Sequence, residues 1–332
     1  MYPVSAPTPL TVIPLIDWTL LRVSGNDASD FLQSQTSNDI RQLTSQAFQL
    51  NSYCSAKGRM YAIFWVLKQA DDYLLLLPTS VSELFLKRLR MFVMRAAVKI
   101  ELLTDQSVLA ISEPTLDASS SSILATLAPV GALPEPSQLT TTAAGLLLQI
   151  PTAPTQGRHF LLIGAQASIA TACHDLLQHG AQLAAAEVWR LRLIEAGVPM
   201  IYAETVEHFV PQMANLQLIN GVNFKKGCYP GQEIVARMQY LGSLKRRMYY
   251  FEATLTNNAA LPLPGSAIVA VGNERSHEAG EVVDAQYLDD QHIAGLAVLN
   301  IERAEQQLRL HDLSGADLSV SAPHYGLTPI TP

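Results

Sequence analysis

Residues 223–237 carry the side chains best suited to chemistry. Lys225 and Lys226 precede Cys228 in a turn rich in glycine and proline, where neighbouring ammonium groups can favour a thiolate over a thiol. A thiolate serves as a nucleophile, a redox centre or a soft metal ligand. One cysteine cannot hold an iron–sulfur cluster alone, so a cluster role requires a partner or a transient encounter. The alternative interpretation is a small buried cysteine at a tight turn.

The turn is followed by a helical run that begins near Gln232. Gly227 and Gly231 allow the backbone to adopt positive φ or to approach a ligand closely. Glu233 either has a functional role or pairs with Arg237 one helical turn later, which is a purely structural role.

Composition describes a folded, acidic chain. It has 332 residues, of which 48% are apolar and 15% charged, with a net charge of −7. This excludes intrinsic disorder, allows two or three domains, and argues against a surface that binds nucleic acid or membrane throughout. Apolar runs stop short of the ~20 residues of a membrane helix. No cation precedes Arg22, so the sequence predicts a cytoplasmic protein without a leader.

Common catalytic and metal-binding signatures are absent from the sequence. It contains no GxxxxGK[ST], GxGxxG, GxSxG or HExxH motif, and its eight histidines do not show ligand spacing. Cys54, Cys173 and Cys228 form neither a disulfide framework nor a zinc pattern, so we expect reduced thiols and no bound metal.

The elements that must position these groups form two patterns. Up to residue 179, strands are predicted at 13–23, 46–54, 60–68, 73–77 and 160–164, and helices at 28–35, 81–99 and 167–179. The helix at 81–99 rests on a stripe of Phe85, Leu89, Phe92 and Ala96. Residues 113–145 give little periodic signal. Beyond a boundary near 241–246, a small barrel or sandwich is predicted from short strands at 247–255, 266–271, 280–287, 293–299 and 307–313.

The run K-G-C-Y-x-G-Q-E-x-x-x-R, from Lys226 to Arg237, resembles the signature of the YgfZ family of folate-binding proteins, which are relatives of the glycine-cleavage T-protein. The resemblance covers most of residues 12–250 and is weak at 105–180 and in the C-terminal barrel. Its further blocks lie at residues 17–18, 25–27, 31–35, 54–60, 189–199, 209–212, 215–216 and 221–224.

The resemblance implies an α+β fold, a three-domain ring of two mixed α/β units plus a C-terminal β-barrel, with folate in the central channel. Residues 1–242 would form the T-protein-like region of two intertwined α+β domains, with 46–104 as one unit, and 243–332 the small barrel. A monomer is expected.

The family's folate contacts match particular positions here. Trp18 and Trp189 match its two tryptophans, and an indole face can stack on a pterin or aminobenzoate ring. Glu195 matches the glutamate that binds the pterin, whose adjacent N–H groups a carboxylate accepts. The alternatives are two core tryptophans and a surface glutamate at a helix end. The positions that support the cysteine motif are Lys225, Lys226, Gly227, Tyr229, Gly231, Gln232, Glu233 and Arg237.

One departure from the T-protein pattern affects the expected reaction. Its Asp pair, used in aminomethyl transfer, is replaced here by Ala62 and Ile63, so the acid/base group is missing. The resemblance therefore implies a tetrahydrofolate-binding accessory protein rather than an enzyme. It would act in iron–sulfur protein maturation or repair, affect tRNA modification, and use Cys228 as its functional thiol. Folate and iron–sulfur proteins or their assembly factors would be its partners. The alternatives are a folate-dependent one-carbon transferase, in which Cys228 replaces the carboxylate, and a tRNA-binding protein.

Positive charge is concentrated in two segments that hold eleven of the 22 Lys and Arg residues. The cations are Lys87, Arg88, Arg90, Arg95, Lys99, Lys225, Lys226, Arg237, Lys245, Arg246 and Arg247. They form either two solvated faces or a surface that attracts the glutamate tail of folate, RNA or an acidic partner. On a continuous helix, Arg88, Arg95 and Lys99 would share one face.

Overall fold

The computed structural model describes residues 10–114, 118–128, 133–240, 242, 244–255, 259–272 and 278–327. Its strands are β1 (Thr11–Pro14), β2 (Trp18–Ser24), β3 (Phe48–Cys54), β4 (Met60–Gln69), β5 (Asp72–Pro78), β6 (Lys99–Leu102), β7 (Gln106–Glu113), β8 (Leu139–Thr141), β9 (Leu146–Ile150), β10 (Arg158–Ala165), β11 (Gln182–Leu183), β12 (Arg246–Thr254), β13 (Ala267–Ala270), β14 (Glu278–Tyr287), β15 (His292–Asn300), β16 (Leu308–Leu310) and β17 (Asp317–Ser321). Its α-helices are α1 (Ala28–Gln35), α2 (Thr79–Met91), α3 (Ala118–Leu124), α4 (Gln166–Gln178), α5 (Ala186–Glu195) and α6 (Gln232–Tyr240). The predicted α+β class is confirmed.

The first sheet is an antiparallel meander of five strands in the order β3-β4-β5-β2-β6. The first eight residues of β4 are all buried, because the sheet is covered on both faces and the strand is apolar throughout. Helix α2 packs on this sheet through Phe85 and Leu89. The strands of this sheet lie between Trp18 and Leu102, so the sheet includes β2 in addition to residues from the unit expected at 46–104.

The second sheet has six strands in the order β11-β1-β7-β10-β9-β8, with helix α4 packed on it. The single strand predicted at 13–23 is wrong. Residues 11–14 belong to this sheet as β1, whereas residues 18–24 belong to the five-stranded sheet as β2. Pro14 has no N–H with which to extend the ladder, so the chain leaves one sheet there and enters the other. Strand β7, which pairs with both β1 and β10, was not predicted and lies in the stretch 105–180 where the family resemblance is weak.

The C-terminal strands close into a barrel in the order β12-β15-β14-β13-β16-β17. Five of them were predicted from the sequence. The sixth, β17, pairs with β12 and β16 and so closes the barrel. Its side chains alternate between exposed and partly buried, a weak hydrophobic signal for a strand.

Helix α2 is shorter than its apolar stripe suggested. It ends at Met91, whereas the predicted helix continued to residue 99. Phe92 is 46% exposed, and the chain then turns back to pair β6 with β2. The Asp27 carboxylate accepts a hydrogen bond from the Ala97 backbone at 2.7 Å and so anchors this turn. The prediction that Arg88, Arg95 and Lys99 share one helical face is therefore wrong. Within the described ranges, no helix is both long and apolar enough to cross a membrane.

Candidate functional site

The thiol turn, residues 226–231, lies at the start of α6 and rests on the turn between β3 and β4. Gly231 has a φ of +79°, and a Cβ atom there would lie 2.3 Å from the Ser55 carbonyl oxygen and 2.6 Å from the Gly58 Cα. Ile234 packs on Gly58 from the first turn of α6. The fold thus joins two blocks of the sequence resemblance, residues 54–60 and the cysteine motif.

Lys226 ties the thiol turn to helix α1. Its side chain is buried, and its ammonium group donates hydrogen bonds to the carbonyl oxygens of Gln33 and Thr36 at the C-terminus of α1. Burial lowers the pKa of Lys226 to about 8. The ammonium group also lies 5.1 Å from the centre of the Tyr229 ring. Lys226 therefore has a structural role that its position beside Cys228 did not suggest, whereas Lys225 is exposed.

Cys228 is exposed, so its interpretation as a buried structural cysteine is wrong. The Gln232 amide donates to the carbonyl oxygens of Lys226 and Gly227 at 3.3 and 3.4 Å and so folds the turn back onto α6. Gly227 has no neighbour within 4 Å of an added Cβ atom and, unlike Gly231, does not have positive φ.

The other motif residues differ in their burial. Tyr229 is buried, and its burial raises the pKa of its phenol. Glu233 and Arg237 are exposed on α6, and across the described residues the structure records no ion pair between them. Of the two alternatives for Glu233, the pairing with Arg237 therefore has no support in the described structure.

A cavity of about 380 Å³ lies where the two open sheets, the end of α5 and the chain after the barrel meet; we call it the central cavity. Trp65 and Leu50 come from the five-stranded sheet and Ile150 from the six-stranded sheet, while Tyr325 follows β17. Gln49 also lines it, and the Gln49 Nε2 atom is buried without a hydrogen-bond partner in the described structure. The wall is mostly apolar with an unsatisfied donor, as in sites for flat organic ligands.

A second cavity of about 450 Å³, which we call the Arg192–Glu195 cavity, shares His324 with the central cavity. Arg192 Nη1 lies 2.7 Å from Glu195 Oε2 in an ion pair at the end of α5. The Arg192 Nε atom is buried and has no partner among the described residues. The Gln156 amide donates to the Glu195 carbonyl oxygen, and Tyr250 completes the wall. The predicted Glu195 is thus three-quarters buried beside a counter-charge.

The three tryptophans occupy different positions around these cavities. Trp18 is buried and stacks on Trp65, with ring centres 5.3 Å apart and an interplanar angle of 20°. Trp65 lines the central cavity, whereas Trp18 lines a separate cleft of about 660 Å³. Sequence reasoning missed Trp65. Its only signal was a large aromatic residue in a predicted strand, and the pattern did not show which face of that strand borders a cavity.

Trp189 is fully buried in α5, about one helical turn before Arg192. Its ring meets His159 edge-on, with centres 6.5 Å apart. Burial, with a smaller contribution from the charge of Arg192, lowers the pKa of His159 to about 3. Trp189 Nε1 has no hydrogen-bond partner in the described structure. Trp189 therefore lies in the core and lines neither the central cavity nor the Arg192–Glu195 cavity.

The two cation-rich segments are less available than their sequence suggested. Arg88 stacks on Tyr61, and Lys99 and Arg246 form ion pairs with Glu101 and Glu278. Three more cations donate hydrogen bonds to oxygen atoms within the protein: Arg90, Lys226 and Arg247. Among the described residues of these segments, the exposed cations without such a contact are Lys87, Arg95, Lys225, Arg237 and Lys245.

The fold places the protein in a known structural class. It superimposes on the glycine cleavage system aminomethyltransferase T from Bartonella henselae with a TM-score of 0.73, covering 96% of this chain and 87% of that one at 13% identity. The chain therefore has the T-protein fold. It is also 32% identical over 313 residues to the tRNA-modifying protein YgfZ from Cronobacter sakazakii, which covers 94% of this chain and 92% of that relative. The chain belongs to the YgfZ family. A comparison with models of protein families gave no match.

Proposed function

We propose that this chain is a tetrahydrofolate-binding accessory protein that acts in tRNA modification. The observation that carries the proposal is the pair of cavities sharing His324, one with an aromatic wall and one with a charged pair. The flat ring system of a folate matches the aromatic wall of the central cavity. Its pterin N–H donors and ring acceptors match the charged pair of the Arg192–Glu195 cavity. The buried, unpartnered nitrogens of Gln49 and Arg192 are donors that a bound ligand would satisfy.

Within this proposal, Glu195 accepts the pterin N–H groups and Trp65 provides the ring contact. Trp18 stacks behind Trp65, and Trp189 lies in the core. The family relative from Cronobacter sakazakii is a tRNA-modifying protein, which supports the assignment to tRNA modification. The protein would act in the cytoplasm as a monomer.

Cys228 is the proposed functional thiol, in iron–sulfur protein maturation or repair. Its exposure on the thiol turn allows an iron–sulfur protein or an assembly factor to reach it. The described residues contain no group of three metal-ligating side chains, so a cluster here would be cargo held with a partner.

The aminomethyltransferase alternative is weakened by the position of Ala62 and Ile63. Both are fully buried in β4 and offer no acid or base. A one-carbon intermediate on folate or on the thiol, formed by the wild type and lost in Cys228→Ser, would nevertheless establish the transferase.

Tetrahydrofolate binding tests the proposal directly. Titration should quench tryptophan fluorescence and raise the melting temperature, and Trp65→Phe and Glu195→Gln should weaken binding about tenfold or more, equivalent to ~1.4 kcal/mol. Glu233→Gln, on the exposed face of α6, is the matched control and should bind as the wild type does. If tetrahydrofolate changes neither the fluorescence nor the melting temperature, the chain does not bind folate.

Direct tRNA binding is the second candidate, because Lys87, Arg95 and Lys245 are exposed. If tRNA binds there, affinity should fall steeply with salt, and replacing these three residues with Gln should reduce that dependence. Lys57→Gln, on the exposed β3–β4 turn, serves as the control.

A further inference from the structure

We infer that Arg192 determines the ligand specificity of the Arg192–Glu195 cavity. It donates a hydrogen bond to a ring oxygen of the ligand, which lies beside the N–H groups that donate to Glu195. The cavity would then select a ring edge that reads donor, donor, acceptor, as in a 2-amino-4-oxo pyrimidine ring. This inference rests on the proposed folate function and assigns a role to Arg192, for which the sequence resemblance implied none.

The ion pair uses only part of the hydrogen-bonding capacity of the two side chains. It joins Arg192 Nη1 to Glu195 Oε2 at 2.7 Å, so Glu195 Oε1 and Arg192 Nε remain outside the bond. Arg192 Nε is buried without a partner among the described residues, although both side chains line the same cavity. Because a buried N–H without an acceptor is costly, a ligand acceptor at this atom would stabilise the complex.

The surroundings hold this pair in place. Arg192 and Glu195 lie one turn apart at the end of α5, and their side chains are only 17% and 24% exposed. Gln156 donates to the Glu195 backbone carbonyl, and the nearby His159 is kept neutral by burial. Since the two charges compensate each other, the cavity favours a neutral group that carries both donors and an acceptor over a free anion or cation.

A pterin ring edge has this order of groups. The 2-amino group and N3–H donate to a carboxylate, and the adjacent 4-oxo oxygen accepts from a guanidinium. Replacing the 4-oxo group by 4-amino places donor against donor at Arg192. It also converts N3–H into an unprotonated acceptor that faces the Glu195 carboxylate, so the contribution of Arg192 is measured by comparing its variants with the wild type on both ligands. Sites built around a hydrogen bond discriminate strongly against an analogue that cannot form it.

Folic acid and its 4-amino analogue aminopterin are the matched ligands for the test. We expect the wild type to prefer folic acid, and Arg192→Leu to weaken folic acid binding roughly 10- to 100-fold while changing aminopterin binding less than about 3-fold. Arg192→Lys keeps the charge but lacks Nε, and should also lose most of the preference. Arg41→Leu, which removes a cation whose side chain is 63% exposed and which lies outside the cysteine motif and the two cation-rich segments, should leave both affinities unchanged.

Two results would overturn the inference. One is an unchanged preference in Arg192→Leu and Arg192→Lys; the other is equal weakening of both ligands, which indicates a purely structural role for Arg192. In either case tetrahydrofolate binding by the wild type would leave the proposed function standing. If the wild type binds neither folic acid nor tetrahydrofolate, the proposed function fails together with the inference.

Discussion

Among single residues, Lys226 offers the clearest stability test in the cysteine motif. Its ammonium group donates to two carbonyl oxygens that end helix α1, where a cation also complements the helix dipole. Lys226→Met should therefore lower the free energy of unfolding by about 1.5–3 kcal/mol, the usual range for hydrogen bonds to a charged group. Urea denaturation measures this difference.

Lys225→Met is the matched control, because Lys225 is the exposed neighbour of the same type. It should change the unfolding free energy by less than about 0.5 kcal/mol. Equal effects of the two substitutions would show that the buried hydrogen bonds of Lys226 contribute nothing to stability.

His159 gives the protein a defined pH dependence. Its pKa is about 3 in the fold, against 6.5 for an unperturbed histidine, so the folded protein keeps the ring neutral while the unfolded chain takes up a proton below pH 6.5. Stability should therefore fall as the pH drops from 6.5 towards 3, by at most about 1.4 kcal/mol per pH unit. Denaturation at several pH values should show this slope in the wild type and a smaller one in His159→Phe. A variant with the wild-type slope would exclude His159 as its source.

At the residue scale, the sequence predicted which residues are candidates for the site better than it predicted the contacts that surround them. Cys228 and Glu195 were named from the motif, and the structure places one at the surface and the other in a cavity wall. Lys226 was assigned to the thiol because they are close in sequence, whereas its partners lie about 190 residues away in the chain. Trp65 was missed for a related reason, because cavity walls are built from segments that only the tertiary fold brings together.

Among the elements, the contact between α6 and the β3–β4 turn depends on one glycine. Any side chain at Gly231 would strain a φ of +79° and meet the Ser55 carbonyl oxygen. Gly231→Ala should therefore cost at least about 2 kcal/mol of stability and expose the thiol turn to proteolysis. Thermal unfolding and limited proteolysis measure the two effects.

Gly227→Ala provides a control from the same turn, because an added Cβ atom there would meet nothing within 4 Å. This variant should unfold within about 0.5 kcal/mol of the wild type. If both alanine variants behave alike, the close approach at Gly231 is not what holds α6 against the β3–β4 turn.

The elements whose bounds were mispredicted share one physical cause. The apolar stripe of α2 continued to Ala96 in sequence, yet the helix ends at Met91, because the chain must return to pair β6 with β2. Residues 13–23 looked like one strand although they serve two sheets. Local periodicity detects which residues are apolar, but the sheet that buries them is determined by the tertiary fold.

For the whole molecule, the segment after the barrel connects the C-terminal unit to the proposed ligand site. The Tyr325 hydroxyl donates to the Gly197 carbonyl oxygen at 3.1 Å, and the Tyr325 ring packs where a Cβ atom at Gly197 would lie. His324 Nε2 lies 3.0 Å from the Ala196 carbonyl oxygen. The same two side chains line the central cavity, so the barrel contributes to a wall that its own strands do not reach.

Truncation after Ser321 should therefore reduce ligand affinity more than it reduces folding. Strand β17 ends at Ser321, so the closed barrel keeps all its strands while the central cavity loses His324 and Tyr325. Loss of an aromatic wall and its hydrogen bond should weaken tetrahydrofolate binding about tenfold, equivalent to ~1.4 kcal/mol. Fluorescence titration measures the affinity, and circular dichroism verifies the fold. A chain lacking only residues 328–332 keeps the wall and should bind as the full chain does. Full affinity in the Ser321 truncation would mean that tetrahydrofolate binds without the tail, and that neither His324 nor Tyr325 contributes to its site.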